Sequence, residues 1–334
     1  MTKVGGRGSL SLVVVASSLA FIFAPPPSYA NEQRNPRTRQ KNRFADESTW
    51  EVPAPSARIA NRLHDISPPE SAGECRVPQI REVLKEFYSK LSGENWKRNI
   101  GWLEPFLDHC SWYGIVCDPN TLCVIGIHLP RNVLAGTLSD TRLGEIPNLR
   151  TLDLSENLIE GPFPDWIRDP RAQYGDRGDD DGMETETTNY WWSTMVNIDL
   201  SGNNLSGTLP PDIQYLWNLR QLYLGNNILG LTEGGLVSGL PIPPSLKELW
   251  YLGVLDLSGN AFGGIIPEEL GELSELGVMR LDQALGVRKL KGVLDADHPV
   301  CRLRIDRFSE GHLSELCVTR DDVDNELRCS CCTC

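Results

Sequence analysis

The residues that could do acid-base, nucleophilic or metal chemistry are few, and their spacing matches none of the common catalytic motifs. No histidine stands in metal-ligand or nucleophile spacing, and the sequence contains no phosphate-binding loop, no Gly-x-Ser-x-Gly elbow and no His-Glu-x-x-His motif. The sequence therefore predicts a protein that is not an enzyme and binds no metal or cofactor. The five histidines are His64, His109, His128, His298 and His312.

One acidic segment raises the possibility of calcium binding. Residues 165–186 contain eight acidic side chains, and such a density of oxygen ligands would suit calcium. The Asp-x-Asp-x-Asp-Gly register of a calcium loop, however, needs an acid where Arg177 stands. We therefore predict a disordered acidic loop, and we give the Arg177-Gly178-Asp179 tripeptide no greater weight as an adhesion signal.

Apolar residues at fixed spacing dominate the middle of the chain. The template L-x-x-L-x-L-x-x-N recurs five times, and a sixth copy that begins at Leu276 has Ala284 in place of the asparagine. Two longer intervals contain inserts near residues 165–190 and 231–247, which we expect to form surface loops. The five complete copies are Val124-Ile127-Leu129-Asn132, Leu149-Leu152-Leu154-Asn157, Met195-Ile198-Leu200-Asn203, Leu219-Leu222-Leu224-Asn227 and Leu252-Leu255-Leu257-Asn260.

This spacing predicts a stack of short parallel strands. In x-L-x-L-x the two leucines face one side of a strand and the intervening residues face the other, because side chains alternate along a strand. The asparagine follows the strand, and its amide can satisfy backbone groups that the turn would otherwise bury unpaired. The predicted fold class is an α/β solenoid, with parallel strands on the concave face and 3-10 or irregular structure on the convex side.

Residues between the strand leucines are predicted to face the concave side, which is the surface that solenoids present to ligands. Tyrosine and arginine are the types most enriched at binding hot spots. We interpret the repeated Asp-Leu-Ser aspartates as solvated positions beside the core leucines and not as a catalytic dyad. The predicted function is recognition of a protein, peptide or glycan, and the alternative is a structural wall or matrix component. The candidate binding residues are His128, Asp153, Asp199, Tyr223, Asp256 and Arg280.

The first thirty residues predict export. Two basic residues precede an apolar stretch over residues 10–24, and the small residues Ser28 and Ala30 occupy the −3 and −1 positions of a cleavage site. Because a membrane-spanning helix needs about 20 apolar residues, a cleaved signal peptide over residues 1–30 is favoured over a membrane anchor formed by residues 9–24. The predicted location is therefore extracellular.

Residues 31–72 are polar and rich in proline, which predicts a disordered linker or pro-region. The basic residues between Arg34 and Arg43 are interpreted as a solvated segment, although they could attract an anionic polysaccharide. The formal net charge of −13 disfavours nucleic acid as a partner. Asn204 begins the only glycosylation sequon, and export would make its use possible. The oligomeric state stays open.

All ten cysteines flank the repeats. Because an even count in an exported chain favours disulfides, we predict that each flank pairs internally. The six cysteines of the C-terminal flank allow fifteen connectivities, and the sequence selects none of them. A zinc site at the overlapping Cys-x-x-Cys pairs of residues 329–334 is the less favoured alternative. The cysteines are Cys75, Cys110, Cys117 and Cys123 in one flank and Cys301, Cys317, Cys329, Cys331, Cys332 and Cys334 in the other.

At these residues the chain resembles the plant-type leucine-rich repeat family, whose unit reads L-x-x-L-x-L-x-x-N-x-L-x-G-x-I-P. The resemblance covers residues 124–294 as the repeat array and residues 73–123 as an N-terminal cap, where a helix face from Ile80 to Leu91 precedes the segment Cys110-Ser111-Trp112-Tyr113-Gly114-Ile115-Val116-Cys117. It implies that Cys110 and Cys117 are bonded to each other, which leaves Cys75 for Cys123.

The ending over residues 295–334 resembles the cysteine-rich termini of exported leucine-rich repeat proteins of diatoms and related algae. Members of the plant-type family serve as receptor ectodomains and as secreted inhibitors of wall-degrading enzymes. The resemblance therefore implies an extracellular, non-catalytic module that binds its partner on the concave face.

Overall fold

The structure is a computed structural model. Several regions that the sequence singles out lie outside its described residues, namely the predicted signal peptide and linker, Cys75, most of the acidic insert, Ala284 and Cys334. Among the residues that it describes, no helix is both long enough and apolar enough to cross a bilayer. The described residues are 77–164, 166–167, 194–231, 239–282, 290–295, 297–303, 313–318 and 327–333.

Eight short strands form the main sheet. Seven of them run parallel and lie side by side in sequence order, whereas the first strand pairs antiparallel with the second. Each strand belongs to one coil of the chain, which is the stacked arrangement of a solenoid. The strands are β1 (Ile115–Cys117), β2 (Val124–His128), β4 (Thr151–Asp153), β6 (Asn197–Asp199), β8 (Gln221–Tyr223), β9 (Val254–Asp256), β11 (Val278–Arg280) and β13 (Glu315–Cys317).

The repeated leucines form the core, as their period of two predicts. Both apolar positions of x-L-x-L-x are buried in every described copy, for example Leu222 and Leu224 in the fourth coil. The flanking residues Gln221 and Tyr223 lie on the opposite face and are only half-buried. One continuous hydrophobic core therefore runs from the N-terminal cap to the last strand.

The remaining sides of the coils carry two smaller parallel sheets and a series of short 3-10 helices. One sheet contains β3 (Ala135–Thr137), β5 (Leu158–Pro162) and β7 (Asn204–Ser206), and the other contains β10 (Gly264–Ile265), β12 (Leu290–Leu294) and β14 (Leu327–Cys329). The 3-10 helices are Gly93–Asn95, His109–Ser111, Leu143–Glu145, Pro211–Tyr215, Pro244–Glu248 and Glu268–Glu272. The α-helices are α1 (Val77–Lys90) and α2 (Pro299–Arg302).

The repeated asparagines form a ladder of hydrogen bonds between coils, which we call the asparagine ladder. Asn227 donates from Nδ2 to the carbonyl oxygen of Leu224 in its own coil and to that of Leu200 in the preceding coil, both at 3.0 Å. Its Oδ1 accepts from the backbone amide of Leu205 at 3.0 Å. Asn157, Asn203 and Asn260 make the same pattern. Each amide thus satisfies backbone groups of two coils.

The residue before each of the five repeat asparagines has a left-handed backbone. The φ angles at Arg131, Glu156, Gly202, Asn226 and Gly259 all lie between 53° and 67°. Only Gly202 and Gly259 adopt this conformation without steric cost, because they lack a Cβ atom. The chain therefore leaves the strand through the same turn in every coil, whatever residue stands there.

An aromatic cluster joins helix α1 to the first coil. The rings of Trp96 and Trp102 meet edge to face with their centroids 5.0 Å apart, and Trp102 lies 5.0 Å from Trp112. The indole N–H of Trp102 donates to the carbonyl oxygen of Tyr113 at 2.9 Å. The indole N–H of Trp96 also keeps a partner, the carbonyl oxygen of Leu91, and all three indole rings belong to the continuous hydrophobic core.

The main sheet extends past residue 294, where the resemblance ended the array. Strand β13 pairs in register with β11, and its neighbours Leu313, Leu316 and Val318 are buried in the positions of the repeat leucines. The outer edge of β13 is covered by Thr333, whose hydroxyl oxygen accepts from the amide of Leu316 and whose amide donates to the Leu316 carbonyl oxygen, both at 2.9 Å. The segment predicted as a cap thus contributes one more coil.

Candidate functional site

Strand pairing brings the six candidate binding residues into one row. Cα partners across the main sheet join His128 to Asp153, Asp153 to Asp199, Asp199 to Tyr223, Tyr223 to Asp256 and Asp256 to Arg280. Neighbouring strands lie about 4.8 Å apart, so the row crosses six coils. We call it the strand-end row. Its members come from separate repeats, and only the stacking of the coils makes them neighbours.

Three aspartates of the strand-end row make the same local turn. The Oδ1 atom of each accepts from the backbone amide at 3.0 Å and from the hydroxyl, at 2.6 to 2.7 Å, of the serine two residues later. This turn fixes the carboxylate orientation and holds one oxygen of each group. The pairs are Asp153 with Ser155, Asp199 with Ser201 and Asp256 with Ser258.

The interpretation of the repeated aspartates as solvated positions is wrong for Asp153. Only 8% of its surface is exposed, and it lies between His128 and Asp199 in the row. Sequence periodicity shows that a side chain points away from the core. It does not show how much of that side chain the residues on the two neighbouring strands cover. These carboxylates are therefore packed groups on a formed surface.

Burial and neighbouring carboxylates act together on Asp199. Burial raises the pKa of this carboxyl, the nearby charges of Asp153 and Asp256 raise it further, and the hydrogen bonds from Ser201 oppose both effects. Burial is also the main cause that raises the pKa of Asp282, which follows β11. A cation placed beside these carboxylates would lower the free-energy cost of keeping them charged in the folded state.

Arg280 closes the strand-end row at its C-terminal side. Its Nε donates to Oε1 of Glu315 at 2.6 Å and its Nη1 donates to Oδ2 of Asp256 at 3.4 Å. Its charge is therefore divided between two carboxylates of this protein. The sequence reading missed Glu315, although Leu313-x-x-Leu316-x-Val318 repeats the strand spacing and would have placed it.

Polar side chains also line the row next to these residues. Cα partners align Thr151 with Asn197 and Asn197 with Gln221 along the same strands. At the N-terminal side, His128 Nε2 and the Thr151 hydroxyl are 2.7 Å apart and share a hydrogen bond. The face therefore presents hydrogen-bonding groups over several coils, with carboxylates at regular spacing.

The cysteines form disulfides in both flanks. Cys110 is bonded to Cys117, the pair that the resemblance implies. In the C-terminal flank Cys301 is bonded to Cys331 and Cys329 to Cys332. The sulfurs of Cys329, Cys331 and Cys332 are therefore not available to zinc in the oxidised protein. Two further cysteines, Cys123 and Cys317, are also disulfide-bonded. The expected pairing of Cys75 with Cys123 involves a residue outside the described part and stays a prediction.

His109 lies close to two cysteine sulfurs, an arrangement that the sequence spacing did not indicate. One of its ring nitrogens lies within 4.8 Å of the sulfurs of Cys110 and Cys117. The residue is 1% exposed, and burial lowers its pKa, with the charge of Arg81 lowering it further and that of Asp108 opposing them. The spacing of these residues in the sequence does not indicate the group, because Cys117 lies next to His109 only through the turn that leads into β1.

The sequon residue Asn204 is exposed on β7. Its strand belongs to a smaller sheet and lies away from the strand-end row. Glycosylation at this residue would therefore leave the row uncovered, and it stays a prediction.

Comparisons with known proteins agree with this architecture. A family model described as Leucine Rich Repeat matches residues 148–169, 194–216 and 251–273. Phytosulfokine receptor 1 of Arabidopsis thaliana is 29% identical over 234 residues, covering 63% of this chain and 20% of the receptor. Pollen receptor-like kinase 6 of the same plant is 43% identical over 63 residues, covering 18% of this chain and 9% of the kinase. The chain thus spans about a fifth or less of these two relatives.

A solved structure is similar over a larger share of the chain. It is the LRR ectodomain of the plant membrane receptor kinase GASSHO1/SCHENGEN3 from Arabidopsis thaliana in complex with Casparian strip integrity factor 2. The two chains are 26% identical with a TM-score of 0.49, and the match covers 72% of this chain and 26% of the ectodomain. The stacked coils, the asparagine ladder and the matched repeats define a leucine-rich repeat solenoid. This chain therefore contains leucine-rich repeats and is similar to plant receptor-like proteins.

Proposed function

We propose that this protein is an extracellular, non-catalytic recognition module that binds a protein or peptide along the strand-end row. The observation that carries the proposal is the row itself, in which six residues from separate repeats meet on one face of the main sheet. Solenoids use such extended faces as binding surfaces. A glycan is the other ligand class that the hydrogen-bonding groups of this face would suit.

The charges of the row favour a partner with cationic groups. Asp153, Asp199 and Asp256 repeat on three coils, while the guanidinium of Arg280 is held by Asp256 and Glu315. A lysine or arginine of a ligand would offset the burial cost of the Asp199 carboxylate. Tyr223 lies between Asp199 and Asp256 in the row and supplies an aromatic surface. We therefore propose an extended basic peptide segment as the ligand.

The similarity to named receptors supports binding as the activity. Phytosulfokine receptor 1 is, by its name, the receptor of another molecule, and the similarity covers 63% of this chain. The match covers only a fifth of that receptor, so the proposal for this chain does not include the receptor's own ligand or its other activities.

Export is part of the proposal. The predicted signal peptide over residues 1–30 and the disulfides of both flanks fit an oxidising, extracellular compartment. N-terminal sequencing of the exported protein should find residue 31 at the mature terminus. A mature protein that keeps residues 9–24 would instead favour a membrane-anchored form.

The test of ligand binding compares two faces of the same molecule. Phage-displayed random peptides are selected on the wild-type protein, and the recovered peptides are titrated against Tyr223→Ala plus Asp199→Asn. The matched control is Lys247→Ala plus Glu272→Ala, which removes an exposed ion pair between two 3-10 helices. We expect the first double variant to lose about thirtyfold in affinity or more, since the loss of one hot-spot contact costs about 2 kcal/mol or more, and the control to bind unchanged.

Two outcomes would contradict the proposal. Recovered peptides without an excess of Lys and Arg would overturn the basic-ligand assignment, and equal affinity of both double variants would exclude the strand-end row as the site. Failure of the wild type to select any peptide family above background would favour the alternative of a structural matrix component.

A further inference from the structure

His109 is buried without a hydrogen-bond partner in the described structure. It begins the 3-10 helix His109–Ser111, is 1% exposed, and neither ring nitrogen has a partner among the described residues. The nearest acid is Asp108, whose Oδ1 lies 3.9 Å from Nδ1, beyond hydrogen-bond distance. Because a buried imidazole without partners destabilises a fold, its position calls for a ligand.

Two sulfurs lie where such a ligand would bind. One ring nitrogen of His109 and the Sγ atoms of Cys110 and Cys117 all lie within 4.8 Å of one another. The two sulfurs form a disulfide in the structure, and both cysteines are half-buried, so a small reductant can reach them. An imidazole and two thiolates form a donor set that is typical of zinc sites with one open position.

We propose that reduction of the Cys110–Cys117 disulfide turns the N-terminal cap into a zinc site made of His109, Cys110 and Cys117. The fourth ligand is a water molecule or a group from solution. The side chain of Asp108 accepts a hydrogen bond from the amide of Cys110 at 2.8 Å, and this bond holds the turn and the histidine in place. The site lies in the cap and is separate from the strand-end row.

The chemistry of the switch is a two-electron reduction followed by proton exchange. A dithiol transfers two electrons and two protons to the disulfide, becomes a disulfide itself, and leaves two cysteine thiols. Zinc then displaces both thiol protons, which pass to solvent, and binds the two thiolates and the neutral imidazole. Reoxidation by a second disulfide, which accepts the two electrons and takes up two protons from solvent to become a dithiol, re-forms the Cys110–Cys117 bond. It releases the metal because a disulfide sulfur carries no charge.

The surroundings support a site that keeps its shape in both states. Arg81 donates from its two Nη atoms to the carbonyl oxygens of Leu107 and Glu104, both at 2.7 Å, which anchors the segment just before His109. Its guanidinium also lies 4.8 Å from the ring centroid of Trp112, two residues after Cys110. These contacts do not depend on the disulfide, so the three ligands stay close together after reduction.

The test uses the full chain and cobalt as a spectroscopic substitute for zinc. A phosphine reductant, which becomes its oxide, is added in steps of one equivalent without oxygen while thiols are counted and tryptophan fluorescence follows the cap. Cobalt is then titrated into the wild type, His109→Gln and the matched control His298→Gln, which lies outside the strand-end row. The same titrations in a Cys329→Ser, Cys332→Ser and Cys334→Ser background break both of the overlapping Cys-x-x-Cys pairs.

We expect thiolate-to-cobalt absorption, which zinc displaces, in the reduced wild type and in His298→Gln. The cobalt affinity of His109→Gln should be lower on the order of tenfold or more. The oxidised protein should show no such absorption. Equal affinities of the two histidine variants would overturn the proposal, since binding would then depend on thiols alone. The absence of tight binding in the reduced wild type, whether the cap stays folded or unfolds, would overturn it as well.

Discussion

Two rows of side chains cross the same coils, and they differ in what they repeat. The asparagine ladder carries one residue type at each of its positions, and each amide bonds to the backbone of two coils. The strand-end row instead mixes histidine, aspartate, tyrosine and arginine between His128 and Arg280. A position that stays the same in every coil solves a problem of the backbone. A position that varies from coil to coil is free to fit a ligand.

The largest expected effect comes from breaking the ladder. In Asn227→Ala the carbonyl oxygens of Leu200 and Leu224 and the amide of Leu205 lose their partner in a buried place. We expect a loss of about 3 kcal/mol in the free energy of unfolding, because each unsatisfied buried group costs about 1–3 kcal/mol. Urea unfolding of unglycosylated protein measures it.

The control for the ladder variant is the exposed neighbour Asn204. Its substitution Asn204→Ala should change the free energy of unfolding by no more than about 0.5 kcal/mol. If Asn227→Ala and Asn204→Ala cost the same, the distinction between ladder positions and other asparagines fails.

A smaller effect of opposite sign is expected in the strand-end row. Asp199→Asn keeps the Oδ1 acceptor for Ser201 but removes a buried charge next to Asp153 and Asp256. We expect it to stabilise the protein at pH 7. Because the pKa of Asp199 is raised on folding, the wild type regains this stability as pH falls through the folded-state pKa, and the difference vanishes below the unfolded-state pKa.

Thermal unfolding of both proteins from neutral to acidic pH checks this prediction. Glu160→Gln on the exposed strand β5 serves as the control and should leave the pH profile unchanged. A destabilised Asp199→Asn at pH 7, or a stability difference that does not depend on pH, would show that the carboxylate is needed for the fold and not held for a ligand.

The smallest expected effect concerns the end of the row. A double-mutant cycle with Arg280→Ala and Glu315→Ala should give a coupling of about 0.5–1 kcal/mol, since both side chains are about one-third exposed. The coupling should shrink in high salt. A parallel cycle on the more exposed Lys247 and Glu272 pair should give less. A coupling at Arg280 that resists salt would mean that this end of the row is shielded from solvent.

The sequence predicted the coils well because one physical rule governs them. Alternation along each strand identifies core residues such as Leu152 and Leu222, and the asparagine identifies the turn. The same rule placed the six row residues on one face. It did not give their exposure, and Asp153 is buried because the coils on both sides cover it.

Other features depend on contacts that spacing does not encode. Strand β13 was missed because its Leu313-Leu316-Val318 pattern lacks the asparagine and lies among the flank cysteines. The sequence allows many pairings of the flank cysteines, and the bond between Cys301 and Cys331 follows only from the positions of these residues in the fold. The group around His109 depends on a tight turn of the cap, which no repeat template describes.

The covered edges of the main sheet limit how the molecule can assemble. At one end the antiparallel strand β1 occupies the edge of β2, and at the other Thr333 takes up both the amide and the carbonyl group of Leu316. Open strand edges can pair with further strands. Among the described residues, a further parallel coil would meet an antiparallel strand at one end and the Thr333 hydrogen bonds at the other, so neither end presents a free parallel strand like those that the coils stack on.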